Sequence, residues 1–205
     1  MLKDRIYIDA EVYKDYFLLS AMQHNTGKIV NFEMYDGKPL ETRKLLRLMA
    51  NRQTVSFNGW NYDLLISVAA CSGYDNQALK NLSDRIIKSN KPSWLISREQ
   101  NLNVPTQWDH VDLIEVAPGR SSLKIYGGRL NAKKLQDLPI EPDASITPDL
   151  RELMRKYCVN DLETTKLLCD ELEGAIVLRE QMGEQYGMDL RSKSDAHIAE
   201  TIINS

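Results

Sequence analysis

Residues 5–11 read RIYIDAE and form the first of three β-rich segments that decide the fold. Residues 13–22 and 28–34 are similar segments, and the turn signal at residues 24–27 (HNTG) lies between them, as in a β-hairpin. Three consecutive strands at such short spacing predict an antiparallel meander at the start of the chain.

Helices and two further strands are expected after the meander. The last long helix has the best-defined start, with Thr147 as N-cap, Pro148 at the first helical position and Asp149 at the positive end of the helix dipole. The element order predicts an α/β fold with a mixed five-stranded sheet flanked by helices; the ribonuclease H-like architecture matches this order, among several α/β alternatives. The expected elements are a helix at 39–51, a strand at 54–58, helices at 62–71 and 75–89, a strand at 110–116, a short helix at 121–130 broken at Gly127-Gly128, and a helix at 148–172.

The composition narrows the class of protein but does not identify a function. The chain has 205 residues, with 42% hydrophobic and 27% charged residues, as in an ordinary globular domain. No apolar run approaches the ~18 residues of a membrane span, and the N-terminus lacks the apolar core of a signal peptide. We therefore expect no membrane partner and a cytoplasmic location. The three cysteines form no CxxC pair, which disfavours a zinc site.

Asp9 and Glu11 are the first candidate site residues. They lie two apart on the first strand, so both side chains point to one face, roughly 6–7 Å apart along the chain, while Ile6 and Ile8 point to the other. Two neighbouring carboxylates repel each other and are costly to bury unless a cation compensates them. The pair alone is weak, since a strand that ends in solvent explains it equally well.

Asp63 is the second candidate, at the junction of the fourth strand and the helix after it. An aspartate in the first turn of a helix is favoured by the dipole alone, so its position needs no functional explanation. The preceding Asn58, Trp60 and Tyr62 are not explained in this way. They can line a groove or contact a ligand, or the two aromatic rings can belong to the core.

Tyr157 and Asp161 are four apart on the closing helix, so their side chains share one face about 5–6 Å apart. They lie at the border of the apolar stripe, where a polar edge of the helix would also place them. An α/β sheet would bring the first strand, the end of the fourth strand and this helix together at one edge. The three weak signals are therefore stronger jointly than singly.

Three short stretches carry a resemblance to a known family. Residues 9–11 (DAE), 58–63 (NGWNYD) and 157–161 (YCVND) resemble, in this order, the three motifs of the DEDD superfamily of 3′→5′ exonucleases. The resemblance covers essentially the first 172 residues, and residues 121–139 resemble the segment between the second and third motifs. With Tyr157, the third motif resembles that of the tyrosine subclass. Members of this subclass are found as proofreading domains of phage and bacterial DNA polymerases. Lys156 stands where the sister subclass has histidine, and Ala10 is smaller than the usual middle residue, although its side chain faces away from the metals.

The resemblance implies a two-metal phosphodiester hydrolase that acts on the 3′ end of single-stranded DNA and releases nucleoside monophosphates. Oxygen ligands favour two Mg²⁺ or Mn²⁺ ions. Tyr157 is expected to orient the attacking water, because an unperturbed tyrosine pKa of ~10 makes it a poor base near neutral pH. The implied metal ligands are Asp9, bridging both ions, Glu11, Asp161, and Asp63 acting mainly through a water. Asn58 is a candidate substrate contact. Trp60, Tyr62 and Tyr126 are candidates for stacking on the terminal bases, as aromatic residues do in proteins that bind single strands.

Two clusters of basic residues are candidates for contact with phosphates, although a solvated charged face is the commoner origin of such clusters. The first cluster consists of Lys124, Arg129, Lys133 and Lys134, and the second of Arg43, Lys44, Arg47 and Arg52.

The expected domain organisation is an exonuclease domain at residues 1–175 and a helical extension at 176–205. The last helix is expected to start after Ser192 or Ser194, and the chain ends without a helix stop signal. The composition of this extension resembles the region that joins an exonuclease domain to the next domain of a phage polymerase. We therefore expect a polymerase domain in the same longer chain.

Other classes of protein stay open. They are a stand-alone exonuclease or exoribonuclease of the same superfamily, a non-catalytic module that binds nucleic acid or protein, and a nuclease of the ribonuclease H or transposase type. The presence of all four carboxylates argues against the binding module, and Tyr157 argues against the last class, which needs no Tyr-x-x-x-Asp pair.

Overall fold

The computed structural model describes residues 4–89, 91–119 and 121–203, and its centre is one mixed sheet with the strand order β3-β2-β1-β4-β5. The first three strands are antiparallel, and β4 and β5 run parallel to β1. This arrangement confirms the predicted α/β class and the mixed five-stranded sheet. The strands are β1 (Arg5–Tyr13), β2 (Tyr16–Gln23), β3 (Ile29–Tyr35), β4 (Gln53–Ser56) and β5 (His110–Asp112).

Helices cover both faces of the sheet. Those of the first half pack on one face, and the long helix α7 packs against β1 and β2 on the other. The helices are α1 (Thr42–Asn51), α2 (Asp63–Cys71), α3 (Asn76–Lys88), α4 (Ser93–Glu99), α5 (Leu113–Val116), α6 (Leu123–Arg129), α7 (Pro148–Glu171), α8 (Glu173–Tyr186) and α9 (Asp195–Ile203).

The central strand β1 supplies both cores through its alternating side chains. Ile6 and Ile8 are buried with residues of α1 to α4, and Tyr7 is buried on the opposite face with Leu168 of α7 and Ile176 of α8. Burial of one such aliphatic side chain contributes ~1.5–3 kcal/mol. The odd-numbered residues of β1 therefore lie opposite Ile6 and Ile8, as the alternation predicted, and α7 covers their face.

Three strand predictions were wrong in their boundaries. The strand predicted at 54–58 is β4 and ends at Ser56, so Asn58 lies in the loop after it. Tyr13 belongs to β1 and pairs with Tyr16 across a tight turn at residues 14–15, so β2 begins later than predicted. The predicted strand at 110–116 is a strand only as far as Asp112 and then becomes helix α5. The reason is local, because the carboxylate of Asp112 accepts the N–H of Ile114 and caps a helical turn.

The predicted break at Gly127-Gly128 was also wrong, since α6 runs through both glycines to Arg129. A Cβ built on Gly127 would lie 2.8 Å from Cγ2 of Thr164 in α7. The glycine therefore permits close packing of α6 on α7 and does not interrupt the helix. The long helix begins where predicted, although Thr147 makes no capping hydrogen bond with its side chain.

Helices α4 and α8 were not predicted as separate elements. The predicted domain boundary between residues 175 and 176 falls inside α8, whose Ile176 lies in the same core as Tyr7. This boundary stays a prediction. Helix α9 begins at Asp195, as expected from Ser194. Over the ranges that the structure describes, no helix has the length and apolar character needed to cross a bilayer.

Gly127→Ala is expected to destabilise the protein by ~1–3 kcal/mol, because the added Cβ would overlap Thr164 at the contact between α6 and α7. Gly128→Ala is the matched control. Its Cβ would make an ordinary contact, 3.5 Å from Leu135, and a helical alanine is favoured over glycine by up to ~1 kcal/mol. Urea unfolding of both variants measures the difference, and equal stability of the two would contradict the packing argument.

Candidate metal centre and adjoining pocket

Three carboxylates from two elements meet at one point of the structure. Asp9 and Glu11 project from the face of β1 that α7 covers, and Asp161 projects from α7 towards them. One oxygen of each carboxylate lies within 4.8 Å of the corresponding oxygen of the other two. The side chains are half-buried, so the group sits at the edge of the core beside solvent. The structure thus brings together three of the four predicted carboxylates.

Asp63 lies next to this group but outside it. It is the first residue of α2 and its side chain is buried. Its Oδ1 accepts the backbone N–H of Ala10, the residue between Asp9 and Glu11, at 3.0 Å. This hydrogen bond fixes the start of α2 against β1.

The carboxylates of this group and Asp63 are held in an environment that disfavours their charged forms. Burial, with repulsion from Asp161, raises the pKa of Asp9 to about 7. Burial and its acidic neighbours also raise the pKa of Glu11 and of Asp63 well above the ordinary range, and burial raises that of Asp161. Within the described parts of the chain, none of these four carboxylates forms an ion pair with lysine or arginine.

The donor set fits a hard divalent cation. It consists of carboxylate oxygens, which Mg²⁺ and Mn²⁺ prefer, and the three free cysteines are not part of it. A cation at this point would remove the repulsion that raises the carboxylate pKa values. Asp9, Glu11 and Asp161 are the residues that could hold it directly.

Tyr157 and Cys158 lie on the same side of α7 as Asp161. The hydroxyl of Tyr157 interacts with the carboxylate of Asp161, and burial raises the pKa of this tyrosine, so its proton is retained. The thiol of Cys158 donates to Oδ2 of Asp9 at 3.1 Å. From the sequence, Cys158 entered only the argument against a zinc site; its place three residues before Asp161 was the available signal.

The loop between β4 and α2 places the other predicted contacts. Asn58 adopts φ 69°, a left-handed conformation that asparagine tolerates better than most residues, and its Oδ1 accepts from the side chain of Asn61. Trp60 is 39% exposed and lies edge-on to the ring of His110. Tyr62 is half-buried and its hydroxyl is bonded to Ser83, so only part of its ring is accessible. Tyr126 is buried, with its hydroxyl bonded to backbone carbonyls, and offers no open stacking surface.

A cavity of about 530 Å³ opens beside Asp9 and Asp63. One wall is the loop with Asn58 and Tyr62, and the opposite wall comes from the end of α3 and the segment before α4. The volume lies in the range of ligand pockets, ~300–1,000 Å³. Sequence reasoning missed the second wall, because it gave the end of the helix predicted at 75–89 no role in a site. Its members are Ile86, Ile87, Lys91, Pro92 and Ser93.

A scan of protein-family models matches none to this chain, and searches of curated proteins and of solved structures also return no match.

Asp9→Asn is expected to stabilise the metal-free protein at about pH 8. Because the folded-state pKa of Asp9 is about 7, above ~3.9 for an unfolded aspartate, the stability that its protonation supplies is present below about pH 4 and is lost as the pH rises through 7. The amide carries no charge and avoids this loss. We expect the Tm in EDTA to rise by a few degrees, since 1 kcal/mol corresponds to ~2–4 °C for a domain of this size.

The matched control is Asp36→Asn, which changes an exposed carboxylate in a turn. Thermal unfolding is measured at about pH 5 and pH 8 with EDTA and then with Mn²⁺. Mn²⁺ is expected to stabilise the wild type at the higher pH and to have little effect on Asp9→Asn. A lower Tm for Asp9→Asn than for the control at the higher pH would contradict the electrostatic argument.

Proposed function

We propose that this chain is a metal-dependent 3′→5′ exonuclease that hydrolyses phosphodiester bonds at the 3′ end of single-stranded DNA and releases nucleoside monophosphates. The observation that carries the proposal is the meeting of Asp9, Glu11 and Asp161 within 4.8 Å, without a cationic side chain. We also propose that the sheet is of the ribonuclease H-like type, which its element order favours. The short motifs around these residues support both proposals through their family resemblance.

The proposed cofactors are two Mg²⁺ or Mn²⁺ ions, held by Asp9, Glu11 and Asp161, with Asp63 contributing through a water. Bound divalent ions would polarise the phosphate, lower the pKa of water and neutralise the leaving oxygen. The spacing of the three carboxylates supports the ligand assignment for a first ion. The carboxylate of Asp63 accepts a hydrogen bond from the backbone of β1, which supports an indirect role for this residue.

The side chains around the ions would position the reactants. Tyr157 keeps its proton, so it can donate a hydrogen bond and orient a water, but it cannot serve as a base near neutral pH. The cavity beside Asp9 would take the terminal nucleotide, with Asn58 on one wall. Its apolar members Ile87 and Tyr62 suit a base, and Lys91 suits a phosphate.

We further propose that the chain is the proofreading domain of a DNA polymerase, of a phage or a bacterium, and that it acts in the cytoplasm. The family resemblance of the motifs and of the C-terminal extension supports this assignment. A stand-alone exonuclease or exoribonuclease is the second candidate. Matched DNA and RNA substrates distinguish the two.

The proposal predicts that a 5′-labelled single strand of DNA is shortened from its 3′ end with Mg²⁺ or Mn²⁺, and that excess EDTA stops the reaction. Asp9→Ala and Asp161→Ala are each expected to lower kcat by about 10³-fold or more, because a lost ligand removes several kcal/mol of stabilisation at about 1.4 kcal/mol per tenfold. Tyr157→Phe is expected to lower it less.

Asp36→Ala is the control for this assay, since its exposed carboxylate lies in a turn. The assay resolves each shortened product on a denaturing gel, and a 3′-phosphorothioate strand tests the direction of degradation. Full activity in EDTA, or undiminished activity of Asp161→Ala, would overturn the proposed mechanism.

The two basic clusters differ in their relation to the candidate centre. Lys133 and Lys134 line a cavity of about 450 Å³ together with Asn160, whose side chain donates to Asp161. Arg47 of the second cluster lines a separate cavity beside α1 whose lining residues include neither Asn160 nor a site carboxylate. The first cluster is therefore better placed for the phosphates of the bound strand.

The charge reversal Lys133→Glu with Lys134→Glu is expected to weaken binding of single-stranded DNA about tenfold or more and to reduce its salt dependence, with a slope change of ~0.7 per lost phosphate contact. Arg43→Glu with Arg47→Glu changes the charge equally and is expected to have a much smaller effect. Fluorescence anisotropy in the inactive Asp9→Asn background measures both. Equal weakening by the two pairs would show that net charge alone attracts the strand.

A further inference from the structure

The carboxylate of Asp112 is the centre of a hydrogen-bonded cluster that the sequence analysis did not single out. Asp112 ends β5 and is 1% exposed. Its Oδ1 accepts the backbone N–H of Asn58 at 2.7 Å and that of Ile114 at 3.2 Å, and its Oδ2 accepts the N–H of Trp60 at 3.0 Å. A single buried side chain thus binds two backbone donors of the loop between β4 and α2.

This loop needs an external support because its own backbone leaves these N–H groups pointing inwards. Asn58 is in the left-handed region, which turns the chain away from the sheet directly after β4. At Gly59 the loop touches the strand ends so closely that a Cβ would lie 1.8 Å from Oγ of Ser56. A buried N–H without an acceptor is costly, and the Asp112 carboxylate removes this cost for two of them.

Further contacts hold Asp112 and the loop in register. The backbone N–H of Asp112 donates to Oγ of Ser192 at 2.9 Å, and this hydroxyl donates to the carbonyl of His110 at 3.3 Å. The ring of His110 bonds to Thr54 and Ser56 on β4 and meets the edge of Trp60. Residues beyond α8 therefore brace the end of β5, and β5 braces the loop.

We propose that Asp112 is a positioning residue for the site, holding the loop as the wall of the cavity beside Asp9 and Asp63. Asp112 does not line this cavity and is not one of the three grouped carboxylates, so it acts through the backbone of Asn58 and Trp60. The inference rests on the proposed function, in which this cavity takes a nucleotide. Loss of the hydrogen bonds from Asn58 and Trp60 to Asp112 should weaken nucleotide binding and leave the metal ligands in place.

The test compares Asp112→Asn with Asp109→Asn, a matched change three residues earlier. In Asp112→Asn an amide N–H replaces one acceptor oxygen and meets a backbone donor. Asp109 instead pairs with Arg191 and Gln53, away from the loop. Calorimetry measures the affinity for Mn²⁺ alone and then the affinity for dTMP in the presence of Mn²⁺. Hydrogen exchange measures how well the backbone amides of Asn58 and Trp60 are protected.

Asp112→Asn is expected to bind dTMP about tenfold or more weakly, with Mn²⁺ affinity within about twofold of the wild type, since a hydrogen bond to a charged acceptor is among the strong ones. The amides of Asn58 and Trp60 should exchange faster than in Asp109→Asn. Equal exchange in the two variants, or an equal loss of dTMP affinity, would overturn the proposal.

Ser192→Ala provides a milder variant if Asp112→Asn does not fold. It leaves the carboxylate of Asp112 intact and removes the hydroxyl that accepts the backbone N–H of Asp112, so amide exchange at Asn58 and Trp60 should increase. Unchanged exchange would contradict the proposal that Asp112 holds the loop. If the wild type neither binds dTMP nor degrades DNA, the proposed function fails, and amide exchange alone then decides whether Asp112 holds the loop.

Discussion

The alternation of side chains along the central strand β1 is the constraint on which the rest of the structure depends. β1 pairs with β2 on one side and β4 on the other, and helices cover both of its faces. Ile6 and Ile8 enter one core, so Asp9 and Glu11 must face α7, as a strand period of two requires. A shift of one residue would exchange these faces and place the carboxylates in the apolar core.

Helix α7 then supplies the side chains that contact Asp9 and Glu11. Its apolar face packs against β1 and β2, and this packing brings Asp161 and Cys158 opposite Asp9. The resulting group of like charges destabilises the fold at neutral pH, and a bound cation would relieve the repulsion. Under the proposed function, the same carboxylates would favour the metal and lower the stability of the metal-free protein, which is a common compromise between stability and function.

The adjoining loop shows a different way of building a site. Its conformation depends less on its own residues than on β5, which is distant in the chain. Asp112 supplies the acceptors, His110 packs against Trp60, and Ser192 supports both from the segment after α8. The C-terminal residues, expected to be an extension, therefore contribute to the architecture next to the candidate centre.

Patterns that depend on local periodicity could be predicted from the sequence alone. They include the three antiparallel strands, the orientation of Asp9 and Glu11, the long helix from Pro148, and the Tyr157–Asp161 spacing. The errors arose at residues whose role depends on a neighbour that periodicity does not reveal. Gly127 lies inside α6, where Thr164 of α7 leaves no room for a Cβ, and residues 113–116 are helical because the carboxylate of Asp112 caps them.

Only the tertiary structure decided which side chains meet. The sequence determined that carboxylates lie on β1, on α2 and on α7, but it contained no distances between these elements. Packing placed Asp9, Glu11 and Asp161 in one group, left Asp63 beside it with a backbone partner, and added Cys158. The physical reason is that periodicity fixes the face on which a side chain lies, whereas a site depends on contacts between residues far apart in the chain.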